Sequence, residues 1–402
     1  MLVVKKFGGS SVADKERIFH VARRCVEDYE KGSQVVVVLS AMGKTTDGLL
    51  AKAREINPNP PKRELDMLLS TGEQVSVALM AMAFHVLGVP AVSLNAPQVA
   101  MHTTSAYGSA KIKRIDTERV RHELDAGRIV IITGFQGVNK YDDMTTLGRG
   151  GSDTTAVALA AALHADTCEI FTDVDGVYTA DPHIVPNARK LPEVSYDEML
   201  EFASLGAKVL HNRSVEMAKR YGVQLVVLSS MTKAEGTVVK EDTKLERMLV
   251  SGVAADTNVA RISVIGVKNM PGIAFKIFNL LAKHNINVDI IIQSIGREER
   301  KDISFTVAQT DLKEALELLN ENKEVLTAQD MTSEEGVAKI SIIGAGMTSN
   351  PGVAAKMFEA LAGANVNIKM IATSEIRITV LIDEADVNRS MRTVHDAFDL
   401  AD

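Results

Sequence analysis

Cysteine is nearly absent. Cys25 and Cys168 are the two among 402 residues, and neither stands in a metal-ligand spacing. A disulfide framework and a structural zinc site are therefore disfavoured, and a reducing cytoplasm is the expected compartment. Long basic runs are also missing, and a formal charge of −7 argues against nucleic acid as a general partner. No apolar segment of signal-peptide form follows Met1, and no apolar run is expected to span a bilayer, so the expectation is a soluble intracellular protein without a membrane partner. Neither G-x-x-x-x-G-K-[ST] nor G-x-G-x-x-G occurs, so any bound phosphate must be held by another scheme. What remains is an ordinary globular composition, long enough for two or three domains.

The stretch around which the chain is organised is Thr145-Thr146-Leu147-Gly148-Arg149-Gly150-Gly151-Ser152-Asp153-Thr154-Thr155, which runs into the small apolar segment Ala156 to Leu163. Its glycines allow positive φ and close approach of a ligand, while Ser152 or Asp153 can cap the helix that follows. Arg149 carries a fork of donors suited to a carboxylate or phosphate. Similar turns end other predicted strands. Leu2 to Lys6 leads to Phe7-Gly8-Gly9-Ser10-Ser11 and then a helix, with Lys6 placed to bring an ammonium to the same phosphates. Val35 to Leu39 ends at Ser40 and a hydroxyl-rich turn through Thr46. Ile129 to Thr133 leads to Gly134-Phe135, and Cys168 to Thr172 enters Asp173-Val174-Asp175-Gly176. In open α/β sheets ligands bind at this carboxyl edge. A helix from Leu65 to Met82 is expected, interrupted at Ser70-Thr71-Gly72-Glu73, with a further helix from about Asp116 to Ala126. Helices over Glu198 to Leu205 and Val209 to Tyr221, then strands near Gln224 to Leu228 and Thr237 to Val239, complete an alternating α/β pattern.

The last third repeats. Ile262-Ser263-Val264-Ile265-Gly266 recurs as Ile340-Ser341-Ile342-Ile343-Gly344, Pro271-Gly272-Ile273-Ala274 as Pro351-Gly352-Val353-Ala354, and Asn285-Ile286-Asn287-Val288 as Asn365-Val366-Asn367-Ile368. Each copy reads strand, Pro-Gly turn, helix, strand, strand, helix. The first continues through Val325 to Gln329 as a candidate closing strand. The second ends soon after its helix, and residues 249–254 have the composition to supply its missing strand, which would nest one copy inside the other.

Together these stretches resemble the aspartate kinases of the amino acid kinase family, in the single-function form with two regulatory ACT modules. The resemblance rests on Lys6-Phe7-Gly8-Gly9-Ser10-Ser11-Val12, Ser70-Thr71-Gly72-Glu73, Thr146 to Asp153, Thr172-Asp173-Val174-Asp175-Gly176-Val177-Tyr178 and the paired Pro-Gly blocks. It implies an α/β/α sandwich with a mostly parallel central sheet over residues 1–245, followed by ferredoxin-like βαββαβ ACT modules over 246–335 and 336–402. It further implies phosphorylation of the side-chain carboxylate of L-aspartate by ATP with Mg2+, feedback inhibition by lysine, threonine or both, and a homo-oligomer, with or without a shorter regulatory chain.

Lys6 and Asp153 then match catalytic positions. Ser40, Thr46, Glu73, Phe135, Arg149, Gly150, Gly151, Ser152 and Asp153 match the aspartate site, with Glu73 and Asp153 for the ammonium and Arg149 for a carboxylate. Lys6, Gly8, Gly9, Ser10, Thr172, Asp173, Tyr178, His183, Lys208 and Val209 fall on nucleotide positions, although many relatives have arginine where this chain has His183. The effector positions are Asn269, Pro271, Gly272, Ile273, Ala274, Asp289 and Gln293 in the first copy, and Asn350, Gly352, Val353, Asn367, Ile368, Ser374 and Glu375 in the second. No magnesium ligand is assigned. The alternatives are an amino acid kinase of glutamate, acetylglutamate or carbamate type, and a non-catalytic amino-acid sensor.

Overall fold

A computed structural model describes residues 1–205, 209–241, 249–294, 299–347 and 350–401. The chain divides into two compact units, residues 1–177 with 190–203 and 208–244 in one, and 178–189 with 204–207 and 245–402 in the other.

In the first unit the strands Leu2–Phe7 (β1), Gln34–Leu39 (β2), Ala91–Leu94 (β3), Ile129–Thr133 (β6), Thr167–Thr172 (β9), Glu193–Ser195 (β12), Leu225–Ser229 (β13) and Thr237–Lys240 (β14) form one sheet in the order β12-β14-β13-β9-β1-β2-β6-β3. All its pairings are parallel except β13 with β14. The near-continuous Val and Ile runs are those of strands covered on both faces. Val3 and Phe7 of β1 join Val35, Val37 and Leu39 of β2 in a core closed by helices Lys15–Glu30 (α1) and Lys62–Val86 (α3). Alternation along β1 turns its two lysines to opposite faces. Lys5 is buried and paired with Asp28 and Glu169, at 2.6 and 2.5 Å. Lys6 reaches Asp153 in the helix Gly151–Leu163 (α5), which packs on β1 and β9 and is apolar nearly all round.

Three readings change here. Helix α3 runs unbroken through Ser70 to Glu73, because Gly72 marks a close approach and not a stop: a Cβ there would lie 2.9 Å from the Ala41 Cβ. This helix is also long and apolar enough by composition to cross a bilayer, against expectation, although more than half of its most apolar window is buried in the fold. A second sheet was not foreseen. The strands His102–Thr103 (β4), Ile112–Arg114 (β5), Gln136–Val138 (β7) and Met144–Thr146 (β8) lie in the order β5-β4-β7-β8. Helices Thr45–Ile56 (α2), Glu118–Asp125 (α4), Tyr196–Ser204 (α6) and Asn212–Tyr221 (α7) complete this part of the chain, with short strands at Val177–Tyr178 (β10) and Lys190–Leu191 (β11).

The second unit carries an antiparallel sheet in the order β16-β17-β15-β18-β20-β19, made by Gly252–Lys268 (β15), Val288–Gln293 (β16), Arg300–Val307 (β17), Asp330–Ile343 (β18), Met370–Thr373 (β19) and Arg377–Asp383 (β20). Helices Ile273–Lys283 (α8) and Leu312–Glu321 (α9) cover the first copy. Val353–Gly363 (α10) and Val387–Ala397 (α11) cover the second. Strands β15 and β18 each serve both copies: Gly252 to Asp256 pairs with Lys339 to Ile343, while Arg261 to Ile265 pairs with Asp330 to Glu334. Val325 to Gln329 is not the closing strand. It is a turn that buries Leu326, and the strand starts at Asp330.

Candidate active site

Strands β9, β1, β2 and β6 are parallel neighbours, so the turns after Thr172, Phe7, Leu39 and Thr133 meet at one edge. After β1 the glycines enter a 3-10 turn, Gly9–Val12. A Cβ on Gly9 would lie 2.5 Å from the Ala41 carbonyl oxygen, so only glycine lets this turn lie against the one after β2. The Lys6 ammonium stands 3.7 Å from where a Gly8 Cβ would be and 2.7 Å from Asp153 Oδ1. It thus lies between the glycine turn and the start of α5, with Ser10 exposed on the rim.

Neither Ser152 nor Asp153 caps α5. The N-cap is Gly150 at φ +68°, and it makes no side-chain cap bond. Both side chains are drawn inward instead, Asp153 to Lys6 and Ser152 Oγ accepting from Ser40 Oγ at 2.9 Å. The His211 ring fills the space beside Gly150, where a Cβ would come within 2.3 Å of it. Phe135 takes φ +69°, a left-handed conformation uncommon for an aromatic residue, and its N-H donates to Thr155 Oγ1 at 3.1 Å. Thr46 is half-buried in the first turn of α2.

Helix α3 lays Asp66, Ser70, Glu73 and Ser76 along one buried face. Ser76 Oγ donates to the Ser40 carbonyl at 2.9 Å, and Glu73 Oε1 accepts from Ala41 N at 3.2 Å. Glu73 Oε2 accepts from Gln136 Nε2 at 3.4 Å, and the same amide donates to the Ser70 carbonyl. Burial pushes the Glu73 carboxyl up to about 7, against the hydrogen bonds from Gln136 and Ala41. An arriving ammonium would reverse that shift. Arg149 is exposed and makes no bond among the described residues, so its fork is free for a ligand carboxylate.

The nucleotide positions divide. Thr172 ends β9 and Asp173 follows it, with Thr172 Oγ1 donating to Asp173 Oδ1 at 2.9 Å. Val209 is half-buried before α7, and Lys208 lies outside the described residues. Tyr178 and His183 belong to the second unit, where Tyr178 packs on an apolar cluster and His183 is exposed beside Asp181, 3.0 Å away. Asp66, Gln136, Ser76 and Arg213 were not singled out in the sequence. Reading α3 as continuous would have exposed Asp66, Ser70 and Glu73 as a polar stripe on an otherwise apolar helix.

In the second unit Gly272 and Gly352 are left-handed N-caps of α8 and α10, exposed and uncapped by side chains. Ile273 and Val353 are buried behind them, with Ala274 packed alongside, while Asn269, Pro271, Gln293, Asn367, Ser374 and Glu375 are exposed. Asn350 Nδ2 donates to the Gly346 carbonyl, and Ile368 packs on the core. The copies differ in charge. Asp289 lies at the position of Lys369; the former pairs with Lys339 at 2.5 Å, the latter with Asp383 at 2.6 Å and with Glu334.

The amino acid kinase family model matches residues 1–229, and an ACT domain model matches 262–322 and 340–398. The aspartokinase of Geobacillus stearothermophilus is 52% identical over 402 residues, covering 100% of this chain and 98% of its own. The chain belongs to the aspartokinases of the amino acid kinase family. It is an ATP-dependent kinase. Among solved structures, E. coli aspartokinase III in complex with aspartate and ADP, its R-state, superposes with a TM-score of 0.84 at 28% identity, covering 99% of each chain. The same enzyme in complex with lysine and aspartate, its T-state, gives 0.78 at 28% identity, again over 99% of each.

Proposed function

We propose that this kinase transfers the γ-phosphoryl group of ATP to the side-chain carboxylate of L-aspartate, giving 4-phospho-L-aspartate. The observation that carries the reading is the arrangement around Lys6: an ammonium between a glycine turn and α5, with Glu73 buried nearby in the chain's fold and Arg149 left free. Glu73 and Asp153 offer acceptors to the substrate ammonium and Arg149 two donors to its α-carboxylate. The attacking carboxylate is already ionised, so no side chain need act as base. The difficulty is charge. Two anions approach, and a unit pair at ~4 Å is worth about 4 kcal/mol at an effective dielectric of 20 but about 1 in bulk water. Lys6 offsets charge on the transferred oxygens, and Gly8, Gly9 and Ser10 give N-H or hydroxyl groups to phosphate. Mg2+, when bound, would supply further neutralisation of the phosphate charge. Among the described residues no three His, Cys, Asp or Glu groups make a ready cage, which suits an ion that keeps water and phosphate as ligands; Asp173, exposed beyond β9, is a carboxylate it can take.

The ACT modules are read as the feedback site for lysine, threonine or both. Their exposed turns offer N-H groups to an effector carboxylate. Asp289 is the acid for its ammonium in the first copy, where the second has Lys369. The exposed apolar side chains Ile291, Ile292 and Ile371 on the edge strands β16 and β19 favour a homo-oligomer. A cytoplasmic setting fits two free, buried thiols. The test is ADP release with Mg-ATP across aspartate, glutamate, acetylglutamate and carbamate. Turnover with aspartate alone is expected, and preference for another acid would overturn the assignment.

A further inference from the structure

We propose that Asp66 and Arg213 are positioning residues that clamp the aspartate-binding loop from two helices, a carboxylate on α3 and a guanidinium on α7 with the loop backbone between them. Asp66 is fully buried and bonds only neutral donors. Its Oδ2 accepts from Gly108 N and Thr146 N, each at 2.9 Å, and its Oδ1 accepts from Thr146 Oγ1 at 2.7 Å. Arg213 donates through one nitrogen to the Leu147 carbonyl at 3.0 Å and through another to the Ala110 carbonyl at 2.8 Å. Ala110 N donates to the Thr146 carbonyl at 2.9 Å, which ties the two clamped segments to each other. Thr146 and Leu147 are thus held at consecutive residues by opposite charges.

Burial disfavours the charged form of Asp66, Lys62 only partly offsets this, and no ion pair to Asp66 is formed among the described residues, so a stability role alone is a poor account of it. The bonds have a common target instead. All lie on the segment that leads into Gly148 and Arg149, or on the 108–110 turn that is bonded to it. His211, two residues before Arg213, fills the space beside Gly150 and bounds the loop at its far end. Between these anchors Arg149 is the side chain left free. Misplacing a binding group by ~1 Å can cost about 100-fold in rate, so the clamp is expected to set how well Arg149 meets its carboxylate.

This inference rests on aspartate being the substrate. Its test is initial-rate kinetics of Asp66→Asn and Arg213→Lys, each substrate varied in turn, with thermal unfolding to establish that both are folded. Asparagine must place its NH2 at one of two oxygen positions that each accept from two donors, since Gly108 N also reaches Oδ1 at 3.1 Å, and lysine cannot reach both carbonyls as a planar fork does. The expected result is a fall of about tenfold or more in kcat/KM for aspartate with Asp66→Asn and a smaller fall with Arg213→Lys, while KM for ATP stays within about twofold. A folded variant with unchanged aspartate kinetics, or with ATP and aspartate constants moved equally, overturns the proposal. If Asp66→Asn does not fold, Arg213→Lys, which keeps its charge, decides alone by the same criterion. A wild type that turns over no aspartate overturns the substrate assignment and this inference together; an active wild type with indifferent variants overturns the inference only.

Discussion

Helices α5, α8 and α10 begin in the same way, behind a glycine in the left-handed region, Gly150 at φ +68°, Gly272 at +90° and Gly352 at +97°, and none takes a side-chain cap. Each leaves backbone N-H groups free for an anion. The surroundings differ. Gly150 is packed against His211, with Lys6 and Asp153 paired at the first turn of its helix. A Cβ at Gly272 or Gly352 would meet nothing within 4 Å. One backbone device therefore serves two purposes. On the proposed function, the enclosed N-terminus with its ions fixed beforehand would stabilise charge as it develops, and the open ones would let an effector come and go.

The comparison is broken most sharply at Lys6. Lys6→Met removes the fixed cation without touching the core, and kcat should fall by ~10³-fold or more, as with loss of an arginine finger, with aspartate binding little changed. A loss below tenfold would eliminate Lys6 from the catalytic role. The next effect is on stability. The Glu73 carboxyl is raised from 4.5 to about 7 by burial, so the stability it contributes is full below its ordinary value and lost as pH rises through 7. Glu73→Gln lacks this loss, and by urea titration it should gain about 3 kcal/mol on wild type between pH 4 and pH 8. A flat difference would mean that Glu73 ionises normally.

Arg149→Ala tests recognition, and kcat/KM for aspartate should drop about 10- to 100-fold, the worth of a charge-assisted pair, with ATP affinity unaltered. The smallest effect belongs to the open turns. Asp289→Asn should remove inhibition by lysine or threonine, a coupling of ~1–3 kcal/mol, and leave uninhibited kcat nearly intact. Retained inhibition would move the effector ammonium away from the first copy.

The strand-end turns were legible because each is a local event, an apolar run stopped by glycine or hydroxyl residues, and parallel pairing then brings them to one edge. The repeat was legible through its Pro-Gly blocks. Long-range compensation was not. Gly72 reads as a helix break until Ala41 is seen against it, and nothing beside Asp66 in the chain shows that Thr146 and Gly108 turn their donors to it. Strands of two or three residues, such as β4 and β7, are too short to show a period. The closing strand was placed too early because Val325 and Leu326 are apolar, yet Leu326 reaches the core from a turn.

The central claim, phosphoryl transfer to the side chain of aspartate, is tested most directly by trapping the product. An acyl phosphate formed from L-aspartate and Mg-ATP reacts with hydroxylamine, and identification of the hydroxamate by mass spectrometry reports which carboxylate was phosphorylated. The account predicts the 4-hydroxamate of aspartate, formed in step with ADP. Hydroxamate at the α-carboxylate, or ADP release without any trapped aspartate, would contradict it.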